Sequence, residues 1–135
     1  MANGGIIGPV QTVTAESTIA AKVTTFNSSG TFTAQATANV DYLVVAGGAG
    51  SGCVSDGHSS GGGGGAGGHR ASGFGPSPLQ GCAVPVVGST GYTITIGAGG
   101  AASCSVPVGN GEDSVFNHNG ANITSTGGGH GGSHR

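Results

Sequence analysis

The sequence has very little charge. Asp, Glu, Lys and Arg make up 6% of its 135 residues, 3 cations against 5 anions, where a soluble domain usually carries about a quarter. Three cations cannot build the basic stripe that binds nucleic acid or the polybasic patch that holds a protein on a membrane surface. The one lysine, Lys22, belongs to no G-x-x-x-x-G-K-[ST] motif, so phosphoryl transfer is excluded. Aromatic residues are 4%, with no tryptophan, too few to fill a large side-chain core. No stretch reaches the roughly 18–20 consecutive apolar residues of a membrane-spanning helix. Met1-Ala2-Asn3-Gly4-Gly5 lacks the charged and apolar regions of a signal peptide, so no secretion signal is expected. A net charge of −2 and a slightly positive mean hydropathy also exclude a disordered chain, which combines high charge with low hydrophobicity. A chain with so little charge has little to hold it apart from its neighbours, and the expectation is a tight homo-oligomer.

What the chain has in excess is glycine, 32 residues. They do not fall at every third position with abundant proline, so a collagen is excluded. Instead they follow strands. Val40-Asp41-Tyr42-Leu43-Val44-Val45 reads as a short buried strand and runs into Gly47-Gly48-Ala49-Gly50. Tyr92-Thr93-Ile94-Thr95-Ile96 is the clearest alternating strand and runs into Gly97-Ala98-Gly99-Gly100. Asn122-Ile123-Thr124-Ser125 leads to the tract 127–132. Thr31 to Thr37 alternates after a turn at Asn27-Ser28-Ser29-Gly30, and Ser114-Val115-Phe116 is a further short strand.

A linker would not recur in this way. Extended glycine chains with the three-residue repeat of polyproline II can approach one another closely and bond laterally, which satisfies their backbone groups. Ordering glycine costs much conformational entropy, so many such bonds must form together. The tracts 47–50, 61–68, 97–100 and 127–132 are therefore expected to be ordered. At Gly63 and Gly65 a Cβ is expected to meet a neighbouring backbone or to be forced into positive φ. The fold class is all-β: a small glycine-rich β-sandwich or β-prism-like domain with ordered polyglycine segments and almost no helix. Residues 1–25 carry Ile6, Ile7, Val10, Val13, Ile19 and Val23, with Gly4, Gly5 and Gly8-Pro9 breaking any helix. They are expected to form an extended N-terminal arm that attaches the chain to another subunit or a larger shell, with 26–135 as the glycine-rich β domain.

The residues offer few chemical constellations. Gly97-Ala98-Gly99-Gly100-Ala101-Ala102 fits G-x-G-x-x-A after a strand, but Pro107 leaves no room for the crossover helix a dinucleotide site needs. His58, His69, His118, His130 and His134 with Cys53, Cys82 and Cys104 could be ligands, yet no zinc-type spacing is present. A histidine ring on an oligomer axis is a second metal reading, and solvated loop histidines outweigh both. The odd cysteine count and wide spacing favour three free, packed thiols over one bridge with a spare. Cys53 with Asp56 and His58 or His69 could suggest a nucleophile, but glycine loops do not hold such a group in place unless packed. Glu112-Asp113 after Gly109-Asn110-Gly111 reads as a turn rather than a calcium loop. No catalytic, cofactor or metal site is expected, and the protein is read as a non-enzyme.

As an ordered series, these stretches resemble the glycine-rich domain of tailed-bacteriophage virion proteins. They are Asp41 to Gly48, Gly61 to Arg70, Tyr92 to Gly100, Gly109-Asn110-Gly111 with Ser114-Val115-Phe116, and Ile123 to Gly129. Tail-fibre and adhesin proteins and small capsid-associated proteins carry such a domain. The resemblance implies a β-rich structural or receptor-contacting role on the virion exterior, frequent trimerisation, and no catalysis. Taken as one small domain, the chain suits a multicopy capsid decoration (cement) protein or short fibre, joined to the major capsid or tail protein through residues 1–25. A receptor-binding tail-fibre adhesin that meets a host-surface glycan, or a secreted glycine-rich matrix protein, are the alternatives. No nucleic-acid or membrane partner is implied.

Overall fold

A computed structural model describes residues 22–53, 61–104 and 108–133. The described chain holds nine strands in three sheets and no helix, as Gly, Thr and Val throughout dictate. A four-stranded antiparallel sheet has the order β1-β7-β8-β9, formed by Gly30–Thr33, Gly91–Thr95, Ser114–His118 and Ala121–Ser125. Strands β2 (Ala38–Val40) and β6 (Val84–Val86) form a pair, and β3 (Leu43–Val45), β4 (His69–Ser72) and β5 (Gln80–Gly81) form a third sheet.

The alternation read from the sequence sets the large sheet's two faces. Phe32 lies opposite Tyr92, and Ile94, Phe116 and Ile123 line up across β7, β8 and β9. These residues point inward, where Ala34, Val44, Val86, Tyr92 and Phe116 are buried and Val40, Tyr42 and Val84 pack against them. Thr31, Thr33, Thr93 and Thr95 take the other face and are exposed, as a period of two requires. Two of the aromatic pairs are edge to face: Tyr92 and Phe116 have centroids 6.3 Å apart at 82°, and Tyr42 and Phe116 6.4 Å at 69°, a geometry that suits the ring quadrupoles. The Tyr92 hydroxyl accepts the Val87 N–H at 2.7 Å, so its polar end is satisfied inside the core.

Two expectations are corrected. Residues 40–45 are not one buried strand. β2 ends at Val40 and β3 begins at Leu43. Between them Asp41 accepts the Ser72 hydroxyl at 2.8 Å, and Ser72 Oγ accepts the Tyr42 N–H at 3.0 Å. The backbone thus changes sheets at a bonded corner, and only Val44 of β3 turns inward. Likewise, the alternating Thr31–Thr37 stretch stops being a strand after Thr33. The expected turn at residues 27–29 is present as a bend.

Strand β3 is fastened to β9 by one hydroxyl. Ser125 is 1% exposed and its Oγ donates to the Val44 carbonyl at 2.7 Å. Ser125→Ala leaves that carbonyl without this donor and is expected to cost about 1–2 kcal/mol. Chemical denaturation checks it, and an unchanged midpoint would show the bond to be dispensable.

The inner layer is not closed on all sides. An open apolar cleft of about 1540 Å³ runs between the β1-β7-β8 face and the β2, β3 and β4 region, and Phe26, Leu43, Val45, Phe74 and Ile96 are among its lining.

Candidate functional site

Strands β3, β7 and β9 lead directly into glycine segments, and other segments lead back into β4 and β8. Five stretches result, residues 46–53, 61–68, 96–104, 108–113 and 126–133. They form a lattice of backbone hydrogen bonds with the 46–53 segment at its centre. Ala46, Ala49 and Gly52 donate to Gly68, Gly65 and Gly62, each at 2.9 Å. Gly47 and Gly50 donate to Glu112 and Gly109 at 3.0 and 2.9 Å, and accept from Gly128 and Gly131. Gly48 and Ser51 accept from Gly100 and Ser103. Every neighbour is met at intervals of three residues, the repeat of a polyproline II helix. The outer segments bond to each other on the same period: Gly62, Gly65 and Gly68 donate to Gly132, Gly129 and Thr126 at 2.8–2.9 Å, and Gly109 and Glu112 to Ala101 and Ala98. The expected ordered tracts are therefore present, and the backbone groups that glycine cannot shield are bonded across segments.

Glycine is required where segments touch. A Cβ at Gly67 would stand 2.5 Å from the carbonyl carbon of Ala46, and one at Gly64 2.7 Å from that of Ala49. Gly65 also meets a neighbour, with Gly129 O at 3.1 Å from its Cβ position. Gly63 does not: nothing lies within 4 Å, which corrects the expectation for that position. The cause is the threefold repeat. In a segment at the edge of the bundle, two rows of residues face partners and the third faces out. Gly63 and Ala66 share that outer row.

Side chains support the lattice at its junction with the sheets. Glu112-Asp113 is not a turn but the extended end of a segment entering β8. The Asp113 carboxylate accepts the Gly127 N–H at 2.8 Å and that of Glu112 the Ala98 N–H at 3.3 Å. Asn110 Oδ1 accepts the His130 N–H at 2.9 Å, and the fully buried Ser114 hydroxyl accepts the Gly97 N–H at 2.9 Å. Sequence reasoning missed Asn110 and Ser114 in this role, because Asn110 beside glycines reads as a turn former and Ser114 reads simply as the first residue of a strand. The Gly97 to Ala102 stretch runs as one of these segments, and no helix follows it among the described residues.

The cysteines are also corrected. Cys53 and Cys104 form a disulfide with Cα atoms 4.6 Å apart, and Cys82 is free and exposed. The bond joins the ends of the 46–53 and 96–104 segments, where Gly52 and Ser103 form a parallel bridge. Lattice packing, invisible in the spacing, brings the two together and removes Cys53 as a nucleophile. His118 stacks on Tyr92 at 5.9 Å and 16°, and its Nε2 bonds the Pro85 carbonyl. His69 is exposed on β4. Asp56, His58 and His134 lie outside the described residues, as do residues 1–21 of the expected arm. Among the described residues, no three His, Cys, Asp or Glu side chains converge to hold a metal.

A polar hollow of about 360 Å³ lies beside the β4–β5 connection, lined by Tyr42, Arg70, Leu79, Gly81, Asn122 and Thr124 among others. Arg70 Nη1 donates to Pro78 O at 2.6 Å, which fixes the guanidinium at its rim. No curated protein and no solved structure matches the chain. Residues 24–135 match the model of the glycine-rich domain, which covers the three sheets and all five segments, and the chain belongs to that family.

Proposed function

We propose that the protein is a non-enzymatic structural subunit of a bacteriophage virion, a small multicopy capsid decoration or short-fibre protein that assembles as a homotrimer on the particle exterior. The observation that carries this reading is the backbone lattice. It makes a rigid body from glycine, and its order stands on hydrogen bonds between segments rather than on placed reactive groups. The resemblance of the ordered strand–glycine series to virion proteins supplies the setting. The Cys53–Cys104 disulfide supports an exterior location, since such bonds persist in oxidising surroundings, virion surfaces included. Residues 1–25 are the proposed attachment to a neighbouring subunit or to the major capsid or tail protein.

The same disulfide suits a secreted glycine-rich matrix protein, which is the second reading. For an adhesin, the hollow beside Arg70, Asn122 and Thr124 would offer hydrogen-bond partners to a host-surface glycan. Quantitative mass spectrometry and imaging of intact particles separate these. A decoration subunit is expected at a copy number matching the capsid lattice, and a fibre or adhesin at a few copies at the tail. Absence from purified particles would overturn the virion reading.

A further inference from the structure

The apolar cleft exposes side chains that this chain has in short supply. Phe74 is 79% exposed, Leu43 66% and Val45 53%, and all three line the cleft, with Phe26, Ile94 and Val115 among the residues contributed from around the four-stranded sheet. A contiguous apolar surface of this kind marks an interaction site. We infer that the cleft receives residues 1–21 of a second copy of the chain. The inference deepens the homo-oligomer reading and rests on it.

Three observations name this occupant. The first is chemistry. Residues 1–21 carry Ile6, Ile7, Val10, Val13 and Ile19 and one charged side chain, Glu16. The charged residues lining the cleft are Lys22 and Asp41, the latter already bonded to Ser72, so little charge need be buried. The second is backbone. β1 and β3, both on the cleft, are edge strands of their sheets. A Thr-, Val- and Ile-rich extended segment laid against such an edge adds a strand and bonds its open groups. The third is reach. Residues 22–25 are all exposed, Val23 at 90%, and stand on the cleft's own lining, so the segment begins at an apolar wall. Extended, 21 residues span about 70 Å, enough to cross to a neighbour.

The test uses the full chain. Val45→Asp with Phe74→Asp charges the cleft at exposed positions, and Ile6→Asp with Ile7→Asp charges the segment. Each pair is expected to weaken self-association in sedimentation at least about 100-fold, because it forces unpaired charge into an apolar contact. Val87→Asp, at a residue 52% exposed but not among the cleft lining, is expected to leave association unchanged. Mixed in equal amounts, the two double variants complement each other. One keeps its segment and the other its cleft, so hetero-pairs form where neither variant associates alone. Wild-type association that survives both double variants overturns the inference and leaves the oligomer reading standing. Loss in both variants without rescue on mixing removes the segment as occupant and likewise overturns the inference. A monomeric wild type overturns both readings, and a fall in its thermal stability in both variants would place the segment in its own cleft.

Discussion

Gly67→Ala is expected to destabilise the protein by about 3 kcal/mol or more, whereas Gly63→Ala is expected to stabilise it by about 0.4–1 kcal/mol. The two positions lie four residues apart in one glycine run and differ only in which row of the helix they occupy. At Gly67 the new methyl group would stand 2.5 Å from the Ala46 carbonyl carbon, and that atom belongs to the central segment, which is bonded to its neighbours and cannot retreat alone. At Gly63 nothing lies within 4 Å, so the methyl group acts only by narrowing the unfolded ensemble. Ala66, already alanine in the same outer row, shows that a side chain is accommodated there. Gly65→Ala should fall between, since its nearest neighbour, Gly129 O, is 3.1 Å away. Thermal denaturation of the three variants is the measurement. Equal effects at 63 and 67 would mean that the run is a solvated linker.

Reducing the Cys53–Cys104 bond is expected to lower the unfolding temperature by about 15 °C. The bond closes a loop with a sequence separation of 51, for which the chain-entropy model gives about 4 kcal/mol. For a domain of this size each kilocalorie is worth about 4 °C. Cys53→Ser with Cys104→Ser should match the reduced wild type, and Cys82→Ser should leave the transition in place, because Cys82 is exposed and free. A transition insensitive to reductant would show that the lattice holds its end without the bond.

Much of this fold was legible in the residues, and the places where it was not have physical causes. Tyr92 to Ile96 and Ser114 to Phe116 announce themselves because one of their faces is buried, and a period of two follows from that. The glycine tracts were legible as ordered because they recur after strands. Strands β4 and β6 were not. His69-Arg70-Ala71-Ser72 has no apolar alternation, and it is a strand because Leu43–Val45 pairs with it. Val84-Pro85-Val86 contains a residue that argues against a strand, yet it pairs with β2 in a two-stranded sheet, where one edge is always open. The disulfide and the outward row at Gly63 were hidden for a different reason. Both depend on which segments become neighbours in the bundle. Spacing along the chain does not encode that.

The bonding pattern of the 126–133 segment bears on how the protein can be made. Among the described residues this segment exchanges six backbone hydrogen bonds with the 46–53, 61–68 and 108–113 segments. It is also the segment that a ribosome delivers after the other four. A nascent chain extended only to Ser125 lacks all six bonds, and residues 61–68 then have only the 46–53 segment to order them. Pairings this distant in sequence carry the loop-closure entropy that slows folding. The bonds among the other four segments can form before this last one, but the outer edge of residues 61–68 stays unbonded, and open to proteases, until residues 126–133 emerge.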